Sequence, residues 1–219
     1  MKTLLCDLVT DIRMLFRVPV SAFFTVIFPS LMLIIMMTSY GNPDIGSGIR
    51  LSDKYILIAS GMGLAPLTLI TFPSWICSSV ESSYLLRLKY LHVSLARVAT
   101  SNALAHMVVA LCGTAVTLAV GVLFYDTRIP GLPALIAYSL QLIVVTASLM
   151  LFGAALAFIV RQTAVAIAVG LVLMFVVYML CGVFGDYSAM PAGLQAAGNL
   201  VPLKYLMNDG FDVWTSTRL

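Results

Sequence analysis

Five stretches of this chain contain no Asp, Glu, Lys or Arg and are each long enough to cross a bilayer, which takes about 20 residues. They cover 18–43, 55–80, 98–125, 129–160 and 162–185. Their apolar cores predict transmembrane helices at 19–39, 55–78, 99–124, 133–160 and 163–184. Gly and Pro interrupt some of them, as lipid-buried helices tolerate. The alternating pattern of a membrane β-barrel is absent. The fold class is therefore all-α membrane protein, a single domain over 1–219. Composition agrees: 61% of residues are hydrophobic, 10% are charged, and mean hydropathy is +1.05. A soluble domain carries roughly a quarter charged residues, and disorder needs few apolar ones. The net charge of +3 is small and scattered, which excludes a nucleic-acid footprint. Cys6, Cys77, Cys112 and Cys181 lie far apart, so neither a disulfide framework nor a metal site is indicated.

Lysine and arginine set the orientation. With the N-terminus in the cytoplasm, the inner segments carry Lys2, Arg13, Arg17, Arg87, Lys89, Arg97 and Arg161. The outer segments carry Arg50, Lys54, Arg128, Lys204 and Arg218, a smaller set. Six aspartates, Asp186 among them, also fall outside.

Residues 1–17 are not a signal peptide, because Asp7, Asp11 and Arg13 interrupt any apolar core. Leu4, Leu5, Leu8, Ile12, Leu15 and Phe16 recur at helical spacing, with the charges expected to break up the remaining surface. This predicts an amphipathic helix lying on the inner membrane face. Pro19 should turn the chain into the first span, and Pro29 should kink that span. The outer loop 41–54 reads as needing no fold of its own.

Residues 80–92 predict a short charged helix between the second and third spans. Ser79 or Ser82 is a candidate cap, with Glu81 near the positive N-terminus. Arg87 and Lys89 fall near the other end, and Leu85, Leu86 and Leu88 give an apolar side ending at Tyr90. Two readings weigh equally on residue chemistry: a helix gripped by a partner, or a connector carrying positive-inside charges.

Several features, in order along nearly the whole chain, carry a resemblance. The run Asp11-Ile-Arg-Met-Leu-Phe-Arg17-Val-Pro19 precedes the span containing Pro29. Glu81, Leu85, Leu88 and Ser94 follow the pattern Glu-x-Gly-x-Leu-x-x-Leu-x-x-x-Pro-x-Ser. Gly182-Val-Phe closes the fifth span, followed by Met190-Pro191, Leu194 and Leu200-Val-Pro202-Leu-Lys-Tyr205. The chain resembles the permease subunit of a type-2 ABC exporter, the bacterial ABC-2 class. Ser83 and His92 depart from it, standing where the family has Gly and Pro. The resemblance implies that 80–92 is the coupling helix against an ATPase subunit. Glu81, Leu85, Leu86, Arg87, Leu88, Lys89 and Tyr90 would then be coupling residues. It also implies short outer helices over 186–210, broken at Pro191 and Pro202. The implied partners are two ABC ATPase subunits, a second permease copy or paralogue, and the lipid bilayer of a cell inner or plasma membrane. The family has six spans, and 211–219 is too short for another. Either a sixth span follows beyond this sequence, which is the favoured expectation, or the subunit is atypical with five.

No Lys lies in a GxxxxGK[ST] phosphate loop, so ATP and Mg2+ are expected on partner subunits and no cofactor on this chain. The chain is expected to be a transport subunit rather than an enzyme, with no catalytic residues. The acids fall outside the span cores, which argues against an ion-coupled carrier. Asn102 and His106 share one face of the third span, as a packing hydrogen bond or a cargo contact. Thr68, Thr71, Phe72, Ser74 and Trp75, with Phe175 and Tyr178, are candidate pathway-lining residues. Gly153 with Ala157, and Ala166 with Gly170, allow close helix approach. The expected function is export of an amphipathic or hydrophobic compound: a drug, an antimicrobial peptide or a lipid. The alternatives are a polysaccharide or glycolipid exporter and a non-transporting immunity or scaffold protein.

Overall fold

Nine helices and one short β-ladder are described in the computed structural model, over residues 2–17, 22–46, 49–127, 129–185 and 187–215. The turn expected at Pro19 and the outer charges Arg128, Asp186 and Arg218 lie outside the described residues. Helix α1 is Lys2–Arg17. The five spans are α2 (Phe23–Tyr40), α3 (Leu51–Glu81), α5 (Leu95–Tyr125), α6 (Leu132–Val160) and α7 (Thr163–Leu180). Helix α4 (Tyr84–Tyr90) links α3 to α5. After α7 come a 3-10 turn at Tyr187–Ala189, α8 (Ala192–Gly198) and the bent helix α9 over 202–215. Pro191 precedes α8, and Pro202 opens α9.

Helix α3 is the axis of the bundle. Every residue from Ile56 to Leu69 except the half-buried Ile58 is buried. It starts at Leu51 rather than 55, because the Asp53 carboxylate accepts the Arg50 backbone N–H at 3.1 Å and fixes the first turn. One acid therefore lies buried in the first turn of a span, contrary to the sequence expectation. Helix α3 also runs on to Glu81. Ser82 does not cap a new helix, since its hydroxyl donates back to the Ser78 carbonyl (2.7 Å). Ser83 then takes φ +55 and ends α3, so the helix expected over 80–92 begins only at Tyr84. Helix α7 stops at Leu180, short of 184, because Gly182 at φ +76 lets the Val183 N–H reach the Tyr178 carbonyl.

Proline shapes the spans through π-helical turns. Phe23–Ile27 is π-helical ahead of Pro29, and Leu67–Thr71 lies between Pro66 and Pro73. Proline has no N–H and crowds the carbonyl four residues back. Neighbouring glycines receive the displaced carbonyls. A methyl group on Gly113 of α5 would overlap the Thr25 carbonyl oxygen. Gly153 of α6 and Gly170 of α7 stand in the same relation to the carbonyls of Thr68 and Leu69. Such approach permits weak Cα–H···O contacts. The small-residue pairs on α6 and α7 thus both press on α3.

The loop at 41–54 does have a fold. Asp44–Gly46 (β1) pairs antiparallel with Ile49–Arg50 (β2). The Asn42 amide donates to the Tyr125 carbonyl (2.9 Å) and accepts the Ser52 N–H (3.0 Å), tying the loop to the end of α5.

Candidate functional site: the α4 end of the bundle

Helix α4 hangs from the end of α3 on two left-handed residues. Ser83 starts it; His92, at φ +57, ends it, with Val93 N–H on the Leu88 carbonyl (3.0 Å) and His92 N–H on Lys89. Proline, fixed near φ −65°, cannot take the His92 conformation. Ser94 then caps α5, its hydroxyl accepting the Arg97 N–H at 3.4 Å. Leu85 and Leu88 are half-buried towards the bundle. Leu86, Tyr90 and Leu91 are 57%, 82% and 72% exposed, and Arg87 and Lys89 flank them in the last turn. The result is an apolar tip with a basic border.

Glu81 sits elsewhere than the sequence reading placed it. Its carboxylate accepts the Thr163 N–H at 3.0 Å on one oxygen and the Thr163 hydroxyl on the other. Gln162 provides no side-chain cap for α7. Glu81 provides it from α3, with its negative charge at the positive end of the α7 dipole. Thr163 was not legible as a partner, because 82 residues separate the pair.

Helix α1 docks on the start of α5 through acids as well as leucines. Leu8, Ile12 and Leu15 face the core, and Asp7 and Asp11 lie on the same side. Asp7 pairs with Arg97 at 2.9 Å, and the Ser101 hydroxyl donates to Asp11 at 2.6 Å. The aspartates therefore do not break up the exposed face, which instead shows Leu5, Val9, Met14 and Phe16. Burial pushes the Asp11 carboxyl above its ordinary range and the Asp7 charge adds to this, while hydrogen bonds from Ser101 and Asn102 oppose it. A cavity of about 450 Å³ opens between α1, α4 and the ends of α3 and α5, lined by Asp7, Asp11, Trp75, Ser82, Tyr84 and Arg97 among others.

The intramembrane residues singled out by sequence fall into two groups. Phe72 stacks on Trp75 (centroids 6.3 Å) and meets His106 edge-on (5.2 Å). His106 is fully buried, its Nδ1 2.9 Å from the Asn102 carbonyl. Phe72, Trp75, Asn102 and His106 thus form one train leading to Asp11. The others are apart. The hydroxyl of Thr68 donates to Leu64 (2.8 Å), and that of Tyr178 donates to the Met62 carbonyl, both inside the bundle. The Thr71 carbonyl accepts the Ser74 hydroxyl (2.9 Å), and Phe175 is exposed on the outer side of α7.

Comparison with known protein families matches residues 8–209 to the ABC-2 type transporter family. No curated protein and no solved structure matches the chain.

Proposed function

The chain belongs to the ABC-2 type transporter family, and from that premise we propose that it is one permease of an ATP-driven exporter. A second copy or paralogue completes the permease, and two ATPase subunits carrying ATP and Mg2+ sit against α4. The observation that carries this reading is the tip of α4, where Leu86, Tyr90 and Leu91 project beside Arg87 and Lys89. An exposed apolar cluster of this kind marks an interaction surface, and its basic border favours an acidic groove on the partner. The N-terminus then lies in the cytoplasm, with Arg13, Arg17, Arg97 and Arg161 on the same side.

The cargo in this reading is amphipathic or hydrophobic. Trp75, stacked on the buried Phe72, faces it at the cytoplasmic mouth with Thr71 nearby, and Phe175 on the outer side of α7 faces it only once the second permease copy completes the pathway. Thr68, Tyr178, Asn102 and His106 brace α3 from within. ATP-driven closure of the partner subunits moves α4 and Leu85, Leu88 with it. The Glu81 carboxylate passes that displacement from α3 to α7, so that the two spans shift as a pair. Purification in mild detergent with ATP tests the reading. A stoichiometric ATPase subunit is expected; its absence would contradict it.

A further inference from the structure

Helix α3 changes partners at the π-turn Leu67–Thr71. From Leu57 to Leu69 its buried side chains belong to the main core, which also takes Leu15 of α1 and Ala105 and Val109 of α5. Below the turn, Ile76 and Cys77 join a separate apolar cluster with Ala157 and Val160 of α6 and Ala166 of α7. The Cys77 thiol also reaches the Ala157 carbonyl at 3.7 Å, and Glu81 holds Thr163. The end of α3, the end of α6 and the start of α7 therefore make one small packed unit.

All three helices of that unit are weak at one level. Pro73 has no N–H to offer, so the ladder skips the carbonyls of Thr68 and Leu69. Those two carbonyls abut Gly153 of α6 and Gly170 of α7. Glycine inside a helix loosens it, and π-turns are frequent at functional sites. The π-turn and both glycines thus lie side by side across the bundle. The facing wall is different. Helix α5 has neither Gly nor Pro over 95–112, and α1 is fastened to it by Asp7 on Arg97 and by Ser101 on Asp11. The cavity of about 450 Å³ separates this wall from Ser78, Ser79 and Ser82 of α3. The contact of Phe72 with His106 crosses to the wall beside the π-turn itself, where a hinge moves least. Helix α4 bridges the gap between two left-handed joints, Ser83 and His92.

We propose that Phe72–Glu81, with 154–160 of α6 and 163–169 of α7, swings as one arm about the level of the π-turn, opening and closing this cavity against α1 and α5. The swing deepens the exporter reading by giving its movement a pivot. It rests on that reading only for the force that drives it, and the test uses this chain alone.

Electron–electron distance measurements on the spin-labelled full chain in lipid nanodiscs test the swing. Cys77 and Cys181 are buried, so with Cys112→Ala the labels go to Cys6 on α1 and to one introduced cysteine. Val80→Cys reports the arm against the wall, and Leu123→Cys, at the far end of α5, reports the wall alone. The arm distances are expected to spread about twofold wider than the wall distances. Ser78→Trp wedges the cavity and is expected to remove the short distances; Ser82→Trp is a second wedge if Ser78→Trp does not insert. Pro73→Ala, which returns an N–H to the π-turn, is expected to narrow the spread. An arm spread no wider than that of the wall, or one unmoved by the wedge or by Pro73→Ala, would overturn the proposal. Loss of the ATPase partner would leave all of these distances unchanged.

Discussion

Glu81 at the end of α3 holds the first residue of α7, Thr163, by both of its carboxylate oxygens. The contact joins the span that leads into α4 to the span furthest from it in sequence among the five. Two effects superpose there: a side-chain cap for an otherwise uncapped helix start, and a negative charge against the helix dipole. Glu81→Gln should therefore loosen the first turn of α7 while leaving insertion intact. Faster amide hydrogen exchange at 163–166 is the expected result, and faster still in Glu81→Lys. Unchanged exchange in both would remove Glu81 from the relay.

Glycines that face displaced carbonyls should not accept a methyl group. Gly153→Ala and Gly170→Ala force Cβ onto backbone oxygen, which cannot swing away as a side chain would. Overpacking of this kind costs about 1–3 kcal/mol. Gly193→Ala, where a Cβ meets nothing within 4 Å, is the control and should be neutral or better. Thermal midpoints in detergent separate these outcomes.

The left-handed residues bracketing α4 make opposite predictions. Ser83 at φ +55 should welcome glycine, with Ser83→Gly gaining roughly 0.5–1 kcal/mol. His92→Pro cannot adopt φ +57 and loses the N–H bonded to the Lys89 carbonyl, at a cost above about 1 kcal/mol. Equal stability of both variants would contradict the geometry of α4.

The docking of α1 should depend on pH in a defined direction. Burial holds the Asp11 carboxyl above 3.8, so the folded state binds its proton more tightly than the unfolded state. That contribution is fully present below 3.8 and is lost as pH rises through the raised folded value. Asp11→Asn, which keeps a neighbour for Ser101 without the charge, should tighten α1 on α5 at neutral pH. The difference from wild type should vanish in acid. Protease protection of 2–17 across pH measures both.

The five spans were legible because lipid forbids charge, and charge-free runs are visible in any sequence. Family membership was legible from the order of several weak motifs. What stayed hidden depends on distant partners. Asp7 and Asp11 read as surface breaks because Arg97 and Ser101 lie some 90 residues away. Asp53 was placed outside its span because a buried N-terminal cap looks, in sequence, like a loop acid. Ser79 and Ser82 read as caps, yet hydroxyls can equally donate to carbonyls one turn back, and Ser82 does so. Pro29 announced a kink, but nothing in the sequence assigned the displaced carbonyls to glycines on other helices.

One paired measurement tests the account most directly: the amount of ATPase subunit that co-purifies, and its ATP turnover, for Leu86→Asp beside Glu81→Gln. Leu86 projects from the tip of α4, whereas both Glu81 oxygens face Thr163. Leu86→Asp should lose the ATPase subunit. Glu81→Gln should keep it, with turnover no longer coupled to transport. Full retention of the subunit by Leu86→Asp, together with wild-type coupling in Glu81→Gln, would contradict both the docking surface and the relay.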